Sequence, residues 1–269
     1  MAVSQTPAPV GEMLRSWRRR RSLSQLELSL NAAVSSRHLS FLETGRARPS
    51  REMVLHLADE LQVPLRERNA LLLAAGYAPL YGERPLDAPE MATARQAVDR
   101  FLRAHEPYPA LVVDRQHTLL ASNDALALLI EGVASELLEP PANALRVALH
   151  PRGMAPRTVN LEEWSAHLLA RLRREAQITG DPRLERLYNE LTAYPRVKVA
   201  PPHTELQSSD IVLPLRLRNS RGPGELAFFS TLSTFGTAVD VTLAELSIEA
   251  FYPADASTAR QLLRDIDPR

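Results

Sequence analysis

The chain has 269 residues, 45% of them hydrophobic, and its 32 basic side chains are balanced by 32 acidic ones. That is length for one large domain or two ordinary ones, with apolar material for real cores. Cysteine is absent, which excludes disulfides and thiolate metal sites. With no signal-peptide pattern and no apolar run able to span a bilayer, a cytoplasmic protein without a membrane partner is expected.

Zero net charge argues against a nucleic-acid binder, but the distribution argues for one. Residues 1–50 hold eight Arg against three Glu, whereas residues 81–269 hold 21 basic against 25 acidic side chains. A basic head on a mildly acidic body is the asymmetry of a DNA-contacting module joined to something else.

In chain order, a first helix is predicted over Val10–Arg20 with Met13, Leu14 and Trp17 inward. The run Arg18 to Arg21 follows; it suits the negative end of a helix dipole and can also serve phosphates. Ser24 and Glu27 form a Ser-x-x-Glu capping box that opens a second helix running to Asn31 or Ala32. Ser35 can cap a third, which Gly45 ends. At about 100° per residue, Leu39 and Leu42 fall on one side of that helix and Ser36, Arg37, Ser40 and Phe41 on the other. Glu43 sits near its end, away from that set. An exposed Phe beside an Arg fits a major groove, where Arg reads guanine and an apolar group meets the thymine methyl. On spacing alone, two amphipathic helices of an ordinary helical domain, with Phe41 packed inside, fit as well.

The residues Gln25, Val34-Ser35, Leu39-Ser40 and Glu43 through Gly45 to Pro49 resemble the helix-turn-helix of the Xre/Cro-repressor-like family. The resemblance implies sequence-specific binding to double-stranded DNA. The family has Gly in the turn where this chain has Ala33, and a left-handed Ala costs roughly 1–2 kcal/mol. Arg37 is the expected base reader, then Phe41, with Ser36 and Ser40 on bases or phosphates. Gln25 and Ser35 are placed for phosphates, and Arg46 and Arg48 for the DNA backbone. One recognition helix reads few base pairs, so a homodimer on a near-palindromic operator is expected.

A fourth helix over Arg51–Leu61 and a fifth over Leu65–Ala75 complete an all-α, five-helix repressor-like domain, residues 1–77. In the fifth, Leu65, Asn69, Leu72 and Leu73 share a side. Residues 78–92, with Pro79, Gly82, Pro85 and Pro89, read as a linker. A second domain, 93–269, begins with a helix from Met91 to His105. Strand-like runs follow at Ala110–Val113 and Thr118–Ser122, about a turn at Asp114–His117. Asn123-Asp124 and Asn160-x-x-Glu163 read as helix caps, and Asp181-Pro182 opens another helix. Strands return as Ile211, Leu213, Leu215 and Leu217, then Glu225–Phe235. Val239, Val241 and Leu243 alternate out of phase with Leu246, Ile248 and Ala250, which calls for a bulge or turn near Ala244–Glu245.

Two strands, helices, then three strands is the order of a PAS-like α+β domain with an antiparallel sheet. The stretches Asn143–Pro151, Asn160–Glu175, Glu225–Phe229, Thr234–Leu243 and Glu249–Asp255 resemble the ligand-binding domain of MmyB-like regulators. That resemblance implies a small apolar ligand, for which a fatty acid is the suggested case. Trp164, Leu226, Phe228, Leu232 and Ile248 can line an apolar pocket or simply form a core. His150, Arg152 and Arg157 are candidate carboxylate anchors, since Arg grips carboxylates in a planar fork. The alternative is a body that serves as a protein-interaction or dimerisation module and senses no metabolite.

No cofactor, metal or enzyme activity is expected. The seven His are scattered without a His-x-x-x-His pair. Gly222-Pro223-Gly224 lacks the lysine and helix of a phosphate loop, and no Gly-x-Ser-x-Gly elbow occurs.

Overall fold

The computed structural model describes residues 9–199 and 212–264. The chain divides into two compact units, Met1–Arg84 with Ala238–Ala244, and Pro85–Thr237 with Glu245–Arg269.

The first unit contains α1 (Val10–Arg20), α2 (Gln25–Asn31), α3 (Ser36–Glu43), α4 (Arg51–Glu60) and α5 (Leu65–Ala74). Local chemistry sets their starts. Both halves of the capping box form: the Ser24 hydroxyl accepts from the Glu27 N–H at 3.1 Å, and the Glu27 carboxylate accepts from the Ser24 N–H at 2.6 Å. Ser35 and Ser50 cap α3 and α4 by the hydroxyl half alone, accepting from the N–H groups of His38 and Met53. Leu14, Trp17, Leu28, Leu39, Leu42, Val54, Leu57, Leu71 and Leu72 make one core. Gly11 lets α1 lie against the end of α3, because a Cβ there would come within 2.3 Å of the Leu42 carbonyl oxygen. Ala33 holds the α2–α3 turn in the left-handed region at φ +50°.

The face of α5 differs from the expectation. Leu71 and Leu72 are buried, whereas Leu73 is 58% exposed. Asn69 packs no core; its amide donates to the Tyr81 carbonyl at 2.7 Å and accepts from the N–H groups of Leu80 and Tyr81. A side-chain amide satisfies donor and acceptor at once, so it pins the strand-like segment that follows the helix.

In the second unit a 3₁₀ turn, Pro89–Met91, leads into α6 (Ala92–Ala104). Then come β1 (Ala110–Val113), β2 (Leu119–Ser122), α7 (Leu126–Ile130), α8 (Ala144–Leu149), α9 (Leu161–Thr179) and α10 (Pro182–Thr192). The chain continues through β3 (Leu215–Arg218), β4 (Glu225–Thr234), α11 (Val241–Ala244), β5 (Ser247–Pro253) and α12 (Ala256–Arg264). Ile211, the first position of the predicted alternation, lies outside the described residues. The sheet is antiparallel with order β2-β1-β5-β4-β3, the PAS-like arrangement. β1 and β5 lie inside the sheet, and all four residues of β1 are buried.

Three local expectations change. Asn123 does not cap α7; its carbonyl accepts from the Ala110 N–H at 2.9 Å and its amide donates to the Tyr108 carbonyl at 2.8 Å. Asn160 likewise gives α9 no side-chain cap and ties β3, donating to Pro214 and accepting from Arg216. Both amides complement backbone that needs a donor and an acceptor, whereas a cap uses the acceptor alone.

The third concerns the alternation over Val239–Leu243, which ends in α11 rather than a bulged strand. The Asp240 carboxylate accepts from the Thr242 N–H at 3.0 Å, turning the chain into a helical turn. Within the first unit, Asp240 also accepts from Arg84 at 2.9 Å, and the Val241 N–H donates to the Gly82 carbonyl at 2.7 Å.

Candidate functional site

α3 separates its faces sharply. Leu39 and Leu42 are 0% and 1% exposed, while Ser36 and Arg37 are open to solvent and Ser40 and Phe41 half-buried. The Arg37 guanidinium lies 5.4 Å from the centre of the Phe41 ring and that of Arg46 lies 6.0 Å from it. Phe41 therefore carries two cations on its π-system, a contact that restrains both guanidinium groups. Arg46 and Arg48 are exposed in the loop that follows. Ser35 spends its hydroxyl on the α3 cap, and Ser36 shares a hydrogen bond with Ser29 at 2.7 Å. Ser36 thus ties α2 to α3 while remaining at the surface.

Beneath this face sits a feature missed by sequence reasoning. The Glu43 side chain is fully buried and accepts two hydrogen bonds from Arg18, at 2.6 and 2.8 Å, and one from Gln25 at 2.8 Å. Arg15 approaches it at 3.4 Å. Burial pushes the Glu43 carboxyl up, but its bonds to Arg18 and Gln25 outweigh burial and hold it below its ordinary value. Gln25, expected on a phosphate, is thereby anchored at the start of α2. The arginine run divides accordingly. Arg18 belongs to this ion pair, and Arg21 donates to the carbonyls of Leu61 and Gln62. Arg19 and Arg20 remain exposed.

The second unit holds a cavity of about 80 Å³ between the sheet and α7, α8 and α9. Its walls are Leu111 and Val113 from β1, Leu126, Leu129 and Ile130 from α7, Leu145 and Val147 from α8, Trp164 and Leu168 from α9, and Phe251 from β5. The charged or titratable lining is His117, Arg171 and Glu249. Arg171 lies 3.4 Å from Glu249 and 3.7 Å from Glu175, whose other carboxylate oxygen is 2.8 Å from His117 Nε2. Burial raises the Glu175 carboxyl, and the His117 hydrogen bond together with nearby Arg171 and Arg174 brings it below its usual range.

Of the residues nominated from sequence for a ligand, Trp164 lines this cavity. Leu226 and Phe228 are buried in the adjoining core. Ile248 pairs with Val112, so strand alternation sends it to the opposite face from Glu249 and Phe251. Leu232 is 48% exposed. The candidate anchors stand apart. Arg157 donates to the carbonyls of Leu128, Leu129 and Glu131, closing the end of α7. Arg152 pairs with Glu136 at the surface. His150 packs edge-on against Tyr194, whose hydroxyl burial and the Glu190 carboxylate push up to about 12. Arg171 could have been found: it is a charge placed in the otherwise apolar stripe of Trp164, Leu168 and Leu172 on α9.

A helix-turn-helix unit with a basic, aromatic outer face, followed by a PAS-like unit around an apolar cavity, defines the class of DNA-binding transcriptional regulators with a ligand-binding domain. Residues 9–71 match a helix-turn-helix domain family and residues 94–264 the MmyB-like transcription regulator ligand binding domain. The chain belongs to this MmyB-like family. Among solved structures it is similar to the clp gene regulator ClgR from Corynebacterium glutamicum, at 26% identity over 36% of this chain and 90% of that one, with a TM-score of 0.22. An RNA-binding light-oxygen-voltage receptor matches at 14% identity over 97% of this chain and 64% of that one, with a TM-score of 0.31. No curated protein matches the chain. Among the described residues no helix is long and apolar enough to cross a membrane, and no group of three or more His, Asp or Glu could hold a metal.

Proposed function

We propose that the chain is a sequence-specific regulator that binds a near-palindromic operator as a homodimer and responds to a small apolar ligand, such as a fatty acid, in the cavity of its second unit. The observation that carries the DNA reading is the outer face of α3, where Ser36, Arg37, Ser40 and Phe41 stand opposite Leu39 and Leu42. Arg37 offers the planar fork that grips guanine, and Phe41 an apolar surface for a thymine methyl. Arg46, Arg48, Arg19 and Arg20 supply phosphate contacts. The alternative, a protein-docking body without a metabolite, calls for a large exposed apolar patch; the internal cavity supports the ligand reading.

Selection of bound duplexes from a random library by the purified full chain tests the first half. Enrichment of two inverted half-sites about one helical turn apart is expected. A salt-sensitive affinity with no sequence enrichment would overturn it.

A further inference from the structure

We propose that the polar end of the cavity rejects an anionic head, so that its amphiphilic ligand enters uncharged and a fatty acid is bound as the protonated acid. This rests on the ligand reading above and specifies which form of the ligand is bound.

The charge arrangement carries the inference. Arg171 is the cavity's cationic wall residue, and two carboxylates already stand around it, Glu249 at 3.4 Å and Glu175 at 3.7 Å. The charges of Arg171, Glu249 and Glu175 sum to one negative before any ligand arrives. His117 has its Nε2 committed to Glu175 at 2.8 Å. The other charged groups nearby change this little. On α9, Arg174, which acts on Glu175, and His167 are exposed and line no part of the cavity, so water attenuates their effect there. Arg115, from the β1–β2 turn, lies against Glu245 at 3.1 Å and Asp181 at 3.3 Å, two acidic partners of its own. The strand partners of Glu249 across the sheet, Leu111 and Leu232, are apolar.

A carboxylate entering here would be a third anion around one guanidinium, within apolar walls where like charges repel strongly. A hydroxyl meets no such penalty. It accepts from Arg171 and donates to Glu249 in the same pose, using both members of the pair. A protonated carboxylic acid can do the same.

The test is calorimetric titration of lipid-stripped full chain with 1-octanol and with octanoate, at pH 6 and pH 8. The octanol dissociation constant should be the same at both pH values. Octanoate should bind at least about tenfold more weakly than octanol at pH 8, and regain close to tenfold for each pH unit lowered, as a ligand bound in its protonated form must. Glu249→Gln removes one of the two carboxylates and should bring octanoate at pH 8 to within about threefold of octanol. Should that variant fail to fold, the comparison on the unaltered chain still decides. Octanoate binding at pH 8 as tightly as octanol would overturn the inference and leave the ligand reading standing. Binding of neither amphiphile at either pH would overturn both.

Discussion

Glu43→Ala is expected to remove much of the first unit's margin of stability although Glu43 touches no solvent. The substitution removes the acceptor of two Arg18 bonds and one Gln25 bond, and leaves Arg18, 8% exposed, as a buried cation without its carboxylate. A charge pair separated by ~4 Å interacts by about 4 kcal/mol at an effective dielectric of 20. Breaking a buried pair from one side costs about 3–5 kcal/mol. A unit of roughly 90 residues has about 5–14 kcal/mol in total, so the loss takes a large fraction of it. Urea denaturation in a Trp164→Phe background isolates the effect, because Trp17 of α1 then reports the first unit alone. The Trp17 transition should lose about 3–5 kcal/mol, and the paired replacement Arg18→Met with Glu43→Leu should recover most of that. A loss below about 1 kcal/mol would mean the pair behaves as a solvated surface bridge, and the reasoning would fail. It would fail equally if the double replacement were no more stable than Glu43→Ala.

The same carboxylate makes the first unit acid-sensitive. Its folded pKa lies below the unfolded value of about 4.3, so its contribution is complete above that value and is lost as pH falls through the folded pKa. Glu43→Gln should flatten the acid limb of Trp17 stability below about pH 4.5. On DNA, Arg37→Ala should cost about 1–3 kcal/mol at one operator position and relax specificity there, whereas Arg48→Ala should weaken all sequences alike; gel titrations against single-base operator variants separate the two. Ala33→Gly relieves the φ of +50° in the α2–α3 turn and should raise the Trp17 urea midpoint by the equivalent of about 0.5–1 kcal/mol.

How much of this was legible depends on the range of the interaction. Ser24, Ser35 and Ser50 cap through bonds three residues long, so α2, α3 and α4 start where their sequences say. The two faces of α3 follow from helical period alone. Glu43 and Arg18 stand 25 residues apart and each looks like a surface charge in its own helix. Nothing local marks them as partners. In the second unit, Trp164 stands three and four residues from Leu161 and Leu168, a spacing that puts it on their inward helix face. β5 defeated the same approach because both of its faces are covered: Ile248 and Ala250 are as buried as Glu249 and Phe251, so alternation does not say which pair meets the cavity. Asn123 and Asn160 misled as caps because an Asn before a helix is ambiguous until the backbone that needs its amide is in place. The α+β class with an antiparallel sheet was readable from the succession of elements, whereas α11 was not, since one Asp240 side chain converts a strand-like alternation into a helical turn.

The short return segment Ala238–Ala244 has a practical meaning. The first unit is encoded in two pieces, and the smaller is spliced between β4 and β5, more than a hundred and fifty residues downstream of the larger. A fragment ending at Arg84 would keep all five opening helices but forfeit the Asp240 clasp on Arg84 and the Val241 bond to Gly82. Grafting this reading head onto a foreign effector body would therefore transplant an incomplete part, unless the inserted hairpin tip travels with it.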